Sequence, residues 1–168
     1  DGRRTWKNVK NIDTHTGFTD VIFDPENPHV IYAASLQRER RPYTYVGGGP
    51  GSGLWKSIDG GDTWTKLTEG LPKVDVGRIG LDVSRSNPNV VYATIETKVT
   101  GNGAAQGNTE GSVYRSDDRG ASWRRMGAGS SYPWYMGQIK VDPENPDRVY
   151  FLGVPLQVST DGGRTFRS

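Results

Sequence analysis

An eight-residue pattern that recurs along the chain constrains its fold more than any other feature. "SIDGGDTW" at 57–64 returns as "SDDRGASW" at 116–123 and "STDGGRTF" at 159–166, and "DGRRTW" at 1–6 matches the last six positions. A second segment repeats in step with it, as "VIFDPENPHVIYAAS", "IGLDVSRSNPNVVYATI" and "IKVDPENPDRVYFLG". Aligning this segment on its aspartates pairs Asp24 with Asp82 and Asp142. Two motifs that repeat in register predict three similar structural units.

Each unit has the pattern of four short strands. In the first unit, runs rich in β-branched and aromatic residues cover 19–24, 29–35, 53–57 and 63–67, with Pro, Asn, Gly and Asp between them. No segment keeps a helical period, so almost no helix is expected. Four antiparallel strands per unit are typical of propeller blades. The sequence therefore predicts an all-β fold, a β-propeller segment of about three four-stranded antiparallel blades.

The predicted boundaries follow from the repeats. One partial propeller spans 1–168, with blades at 17–68, 76–127 and 136–168 and the outer strand of a preceding blade at 1–9. Since three blades are fewer than known propellers use, both ends of the chain are expected to be trimmed from a longer protein. The expected partners are the remaining blades of a parent propeller or further copies of this chain.

The three turns resemble the Ser-x-Asp-x-Gly-x-Thr-Trp pattern of Asp-box (BNR) repeats, which occur in sialidases, xyloglucan-hydrolysing propellers and sortilin-type receptors. With the "DPxNPxxVY" segment, the chain is most similar to the bacterial sortilin-like, BNR-repeat glycosyl-hydrolase-like proteins. Arg119 and Ser122 depart from the pattern in the second turn, and Phe166 departs in the third. The resemblance implies a propeller in an extracellular or periplasmic protein, and it implies turns that lie on the outer rim.

The repeated turns carry Asp, Gly and a large aromatic residue, and two explanations compete for them. In a structural turn, the glycines supply positive φ, the aspartates accept backbone N–H groups and the aromatic ring covers those bonds. In a calcium or phosphate loop, several ligands would have to converge, whereas these copies fall on different blades. The structural explanation is therefore favoured, and its residues are Asp59, Gly61, Trp64, Asp118, Gly120, Trp123, Asp161, Gly163 and Phe166.

Composition excludes several classes of function. The net charge of +2 gives no reason to expect a nucleic-acid partner. The chain has no cysteine, so it has neither a disulfide framework nor a thiolate zinc site. No apolar run is long enough to cross a membrane, and insertion into one is not expected. No residue pattern indicates a cofactor or a metal site.

Candidate ligand-binding residues lie in segments that do not repeat. The insertion at 36–53 carries Arg38, Arg41 and Tyr43, which suit carboxylate or sugar recognition unless it is simply a solvated loop. A polar insertion at 97–111 is expected to be a solvated loop. The segment 130–137 offers Tyr132, Trp134 and Tyr135, either as a stacking platform for a ligand or as packing between blades.

A third set of candidates is expected at the central channel, where the first strand of each blade begins. Counting four residues back from the aligned aspartates gives Asp20, Arg78 and Gln138, which are polar and differ from one another. Asp20 is the one acid in this set, and a glycosidase needs two carboxyl groups that flank the scissile bond. Asp20 is therefore only a weak catalytic candidate.

Two functional hypotheses follow. The leading one is a non-catalytic propeller scaffold that recognises a protein or a glycan. The alternative is a segment of a glycoside hydrolase propeller of the sialidase or xyloglucanase kind, with Asp20 as one of its carboxylates. A second acid facing the channel would favour the enzyme.

Overall fold

The computed structural model describes residues 4–97, 112–127 and 137–168, and these residues contain thirteen strands and no helix. The first group is β1 Thr16–Phe23, β2 Ile31–Gln37, β3 Glu39–Arg41, β4 Thr44–Val46, β5 Gly53–Ser57 and β6 Thr65–Leu67. The second is β7 Ile79–Val83, β8 Val91–Ile95, β9 Ser112–Ser116 and β10 Arg124–Arg125. The third is β11 Gln138–Val141, β12 Val149–Leu152 and β13 Gln157–Ser159.

The strands form three consecutive antiparallel sheets, which we call blades one, two and three. Blade one has the order β1-β2-β5-β6, blade two the order β7-β8-β9-β10, and blade three the order β11-β12-β13. The first strands of successive blades, β1, β7 and β11, lie against one another. Apolar cores fill the spaces between blades one and two and between blades two and three. Blade two therefore packs one face against blade one and the other face against blade three.

The strand pairing shows which residues occupy equivalent positions in the three blades. Ile22 pairs with Tyr32, Asp82 with Tyr92, and Lys140 with Tyr150, so the three tyrosines are equivalent. The turn that follows is capped by Asp24 in blade one and Asp142 in blade three, each accepting backbone N–H groups. In blade two the same position is Ser84, whose Oγ accepts the N–H of Asn87.

The alignment of Asp82 with Asp24 and Asp142 was therefore wrong by two residues. A serine hydroxyl caps a turn as an aspartate does, so blade two has a serine at the position that aspartate marks in the other two blades. Asp82 lies two residues earlier, opposite Tyr92, and belongs with Ile22 and Lys140.

Two predicted strands are not formed as expected. Residues 5–9 form no strand. The last strand of blade three, "TFRS", is reduced to one bridge between Val158 and Arg167, which leaves that blade with three strands. An unexpected short hairpin, β3–β4, occupies the first insertion. No helix of the described residues is long and apolar enough to cross a membrane.

The three repeated turns have one hydrogen-bond plan. In the first, the Ser57 hydroxyl donates to Asp59 at 2.7 Å and accepts the N–H of Gly61 at 2.8 Å. Asp59 also accepts the N–H and the hydroxyl of Thr63, and the Trp64 indole donates to the carbonyl of Gly61. Ser116 and Asp118 repeat these bonds in the second turn, as Ser159 and Asp161 do in the third.

These bonds hold the aspartates ionised. Hydrogen bonds from Thr63 and then Ser57 lower the pKa of Asp59 to about 2. At Asp118, partial burial acts to raise the pKa, but hydrogen bonds from Ser122 and Ser116 outweigh it and lower the pKa to about 2. Bonds from Thr165 and Ser159 lower the pKa of Asp161 as well. Every oxygen of these carboxylates that accepts a bond does so from its own turn, and this arrangement fits a structural role.

Candidate functional site

The two ends of the blades differ in what they present. One end carries the three repeated turns and the turns at Asp24, Ser84 and Asp142. The opposite end, which we call the insertion end, carries the segments that follow β2 and β8 and the starts of β1, β7 and β11. The turn end is repetitive and closed by its own hydrogen bonds, so a ligand site is expected at the insertion end.

The hairpin β3–β4 projects the candidate residues of the first insertion. The Arg38 guanidinium lies 5.7 Å from the centre of the Tyr45 ring, within the range of a cation–π contact. Arg41 contacts the Glu39 carboxylate, and Tyr43 is one of the most exposed large side chains of the described residues. The hairpin thus presents the phenol of Tyr43 and the guanidinium group of Arg41, which Glu39 partly neutralises, to solvent.

The glycine run after the hairpin folds back onto blade one. The N–H of Gly51 donates to the Gln37 side-chain oxygen at 2.9 Å, and Gly49 donates to the carbonyl of Val76 at 3.1 Å. A side chain at Gly51 would also meet Asp13, whose carboxylate accepts bonds from His15 N–H and the Thr16 hydroxyl. The bond from His15, followed by the bond from Thr16, lowers the pKa of Asp13. Position 51 requires glycine because the side chains of Thr16 and Asp13 leave no room for a Cβ atom there.

Glu96 is a buried carboxyl group at the same end. The Arg78–Glu96 pair continues the β7–β8 pairing one step beyond Ile79 and Ile95, through bonds that join Glu96 N–H to the Arg78 carbonyl and Gly77 N–H to the Glu96 carbonyl. Its Oε2 accepts the N–H of Arg78 at 3.1 Å. Burial raises the pKa of Glu96 to about 7, against smaller opposing contributions from the Arg78 backbone N–H and the Arg78 charge. Near neutral pH this group exchanges a proton, as a general acid must.

Sequence reasoning missed Glu96, although a signal was present. The corrected pairing makes Glu96 equivalent to Leu36 in blade one, since Ile95 corresponds to Ser35. A buried acid where a related blade has leucine is a position that folding alone does not explain. Because Asp82 was aligned two residues away from its equivalent position, the sequence comparison did not place Glu96 opposite Leu36.

The three residues predicted for the channel are not all at equivalent positions. Asp20 Oδ2 accepts the N–H of Leu81 at 3.0 Å, so this carboxylate links blade one to blade two. Its equivalents are Gly80 and Gln138, because all three pair with equivalent positions on the second strands. Arg78 lies two residues before the equivalent position, and its inclusion was wrong for the reason that misplaced Asp82. Gln138 is exposed at the start of β11.

A cavity of about 480 Å³ lies between blades one and two. Its walls include the apolar side chains of Leu54, Leu67 and Ile79, and Lys66 and Glu69 are among its polar residues. The Lys66 ammonium donates to the carbonyl of Pro50 at 3.1 Å. This volume falls within the range of small-molecule pockets.

Tyr132, Trp134 and Tyr135 lie outside the described residues, as does most of the second insertion. Among the residues that the structure describes, no three His, Asp or Glu side chains are grouped so that they could hold a metal ion.

Comparison with known proteins relates the chain to propellers of glycoside hydrolases. It is 29% identical over 180 residues to a curated xyloglucanase of Hypocrea jecorina (strain QM6a), a match that covers 96% of this chain and 19% of that protein. The chain therefore spans about a fifth of the relative's length. No protein-family model matches the sequence.

Two solved structures share the fold. The GH74 enzyme of Niastella koreensis matches with a TM-score of 0.56 and 20% identity, over 90% of this chain and 22% of that one. YCF48 from Cyanidioschyzon merolae matches with a TM-score of 0.57 and 15% identity, over 96% of this chain and 42% of that one. These likenesses confirm the predicted fold class, an all-β propeller segment.

Proposed function

We propose that this chain is a glycan-binding segment of a glycoside-hydrolase-type β-propeller, and that its insertion end binds a β-glucan such as xyloglucan. The observation that carries the proposal is the exposed Arg- and Tyr-rich hairpin, which lies at the same end as the buried carboxyl group of Glu96. Similarity to a xyloglucanase over nearly the whole chain supports the substrate class. We also propose that the repeated turns are Asp-boxes. Since the substrate is a large polymer, the expected location is extracellular or periplasmic.

Binding without turnover is the expected behaviour of this chain. Glycoside hydrolysis requires two carboxyl groups on either side of the bond, one of which donates a proton. Glu96 suits the proton donor, whereas Asp20 accepts the N–H of Leu81 through Oδ2 and so contributes to the contact between blades one and two. In this proposal, the hairpin residues Arg41 and Tyr43 hold the sugar chain.

The test is a binding titration with xyloglucan oligosaccharides, with sialyllactose as the control ligand. Tyr43→Ala and Arg41→Ala are expected to weaken xyloglucan binding about tenfold each, the loss that follows from one stacking or charged contact. Ile58→Ala, on the opposite end of the blade, is expected to leave binding unchanged. Absence of binding by the unmodified chain, or equal binding of both sugars, would refute the proposal.

Catalysis is the second candidate function, and the raised pKa of Glu96 favours it. Release of reducing ends from xyloglucan that is lost in Glu96→Gln while binding is retained would establish it. Turnover that depends instead on Asp20, tested as Asp20→Asn, would restore the assignment made from sequence.

A further inference from the structure

The cavity between blades one and two is lined in part by the link that joins these blades, residues 68–76. Hydrogen bonds fix this link near both of its ends. The carbonyl of Glu69 accepts the N–H of Trp123 at 3.0 Å, and the carbonyl of Val76 accepts the N–H of Gly49 at 3.1 Å. Because the link is held by blade two and by the glycine run, the cavity is preformed, as small-molecule pockets usually are.

The apolar walls of the cavity are aliphatic. Leu54 of β5 and Ile79 of β7 are almost fully buried, at 1% and 2% exposure, and they line it from the two blades. The other branched aliphatic side chains along the walls are Leu67, Leu71, Val74, Val76 and Ile95. No aromatic side chain is among the described residues that line the cavity. It therefore suits an aliphatic group better than a ring that needs a stacking partner.

Charged side chains of both signs also line the cavity, namely Lys66, Lys73, Glu69 and Asp75. Although opposite charges share one cavity, none of the four forms an ion pair within 4.0 Å with any described residue. The Lys66 ammonium donates one hydrogen bond, to the carbonyl of Pro50, and this bond leaves two of its three N–H donors for a ligand. Separated charges of both signs beside aliphatic walls match a ligand that carries both charges on an apolar body.

We propose that this cavity binds a small apolar zwitterion, that is, an apolar amino acid or a short apolar peptide with free ends. The aliphatic walls hold the apolar side chain of the ligand. Lys66 and Lys73 bind its carboxylate, since charge-assisted hydrogen bonds are the strong ones. Glu69 and Asp75 bind its ammonium group in the same way. This binding is independent of the glycan site proposed above, because the hairpin β3–β4 contributes no residue to the cavity.

Isothermal titration calorimetry with L-leucine and with L-leucyl-L-leucine tests the proposal, and the tighter of the two shows whether the amino acid or the peptide is preferred. N-acetyl-L-leucine lacks the ammonium group, L-leucinamide lacks the carboxylate, and diglycine lacks the apolar side chains. Each analogue is expected to bind at least about tenfold more weakly than the leucine ligand it matches. Absence of binding by both leucine ligands, or equal binding of any of these analogues, would overturn the proposal.

Charge-removing variants locate the binding site. Lys66→Gln and Glu69→Gln are each expected to raise the dissociation constant of the preferred ligand about tenfold. The matched controls are Lys7→Gln and Glu144→Gln, which remove the same charges at exposed positions that do not line the cavity and are expected to leave binding unchanged. Because all four positions are exposed, circular dichroism is expected to show an unchanged fold. Unchanged binding in both cavity variants, or equal weakening in the controls, would contradict the assignment.

Two further variants separate this cavity from surface binding and from the glycan site. Leu71→Trp enlarges a half-buried side chain that lines the cavity, and it is expected to abolish binding of the zwitterion. Tyr43→Ala changes the hairpin and is expected to leave zwitterion binding unchanged, even where it weakens glycan binding. Zwitterion binding that survives in a folded Leu71→Trp variant, or that is lost in Tyr43→Ala, would place the ligand outside the cavity and overturn the proposal.

Discussion

The guanidinium of Arg119, in the second repeated turn, donates to Asp24 Oδ2 at 2.9 Å across 95 residues of sequence. Its other amino group reaches Glu26, and its own carbonyl accepts the Tyr32 hydroxyl and the Lys56 ammonium. Arg119 adopts a φ of 57°, the left-handed region that glycine occupies at the equivalent positions 60 and 162. Arg119 therefore occupies a left-handed conformation that is unfavourable for a residue with a side chain, and its side chain forms ion pairs that join blade two to blade one.

Replacing Arg119 with glycine is expected to lower the free energy of unfolding by about 1–4 kcal/mol. Loss of the partner of a buried carboxylate costs about 3–5 kcal/mol, and relief of the left-handed residue returns about 1–2 kcal/mol. Chemical denaturation at neutral pH measures the change. In double-mutant cycles, Arg119→Gly is expected to couple with Asp24→Asn, since the Asp24 side chain is fully buried. Coupling with the exposed Glu26, tested as Glu26→Gln, is expected to be near zero, and a larger value there would contradict this account.

Removing the hydroxyl of the second turn tests the structural explanation of the repeats. Ser116 is buried, and its Oγ both accepts the N–H of Gly120 at 2.7 Å and donates to Asp118. Ser116→Ala leaves a buried donor without an acceptor, so the free energy of unfolding is expected to fall by about 1–3 kcal/mol. Asp62→Ala, at an exposed position of the first turn, is the control. A large calcium-dependent rise in melting temperature would instead favour an ion-binding turn.

The repeats could be predicted from the sequence because their chemistry is local. Ser57, Asp59 and Gly61 form their hydrogen bonds with one another within five residues. The residues that determine the turn are therefore adjacent in the sequence. In blade two, Ser84 caps the turn in place of an aspartate. Asp82 lies two residues earlier, and it was aligned with the capping aspartates in place of Ser84. An alignment that matches identical residues does not recognise that a serine and an aspartate with the same capping function occupy equivalent positions.

The candidate site was less predictable because it depends on contacts between distant segments. The environment of Glu96 arises where β8 leaves the sheet beside Gly77, and the glycine run near it is held by Gln37 and Val76. Similarly, Asp20 has the residue type of a catalytic acid, and only the approach of β7 shows that its Oδ2 accepts a backbone N–H from blade two. Burial and pairing partners of this kind are properties of the stacked blades and are absent from any one segment.

Acid is expected to destabilise the fold through the turn aspartates. The folded pKa of Asp59 and of Asp118 is about 2, below the value near 3.9 of an unfolded chain. Groups with a depressed folded pKa contribute stability that is complete above the unfolded value and lost as pH falls through the folded one. Melting temperature is therefore expected to fall between about pH 4 and pH 2. Asp59→Asn should make this fall shallower, and an unchanged slope would contradict the assignment.

Glu96 is expected to act on stability with the opposite sign. Its folded pKa of about 7 lies above the unfolded value near 4.3, so the folded chain holds a proton that the unfolded chain has released. The contribution of Glu96 to stability is therefore largest below about pH 4, declines as the pH rises toward 7 and stays low above pH 7. Glu96→Gln mimics the protonated form and removes the dependence.

The expected gain from Glu96→Gln in the free energy of unfolding is about 3–4 kcal/mol at pH 8 and much smaller at pH 5, since one pKa unit corresponds to about 1.4 kcal/mol. Thermal melts of both proteins across this pH range measure the difference. Glu69→Gln, an exposed position on the link between blades one and two, is the control and should show no such trend. If Glu96→Gln lost stability equally at every pH, Glu96 would be an ordinary ionised residue, and the case for a proton donor at the insertion end would fail with it.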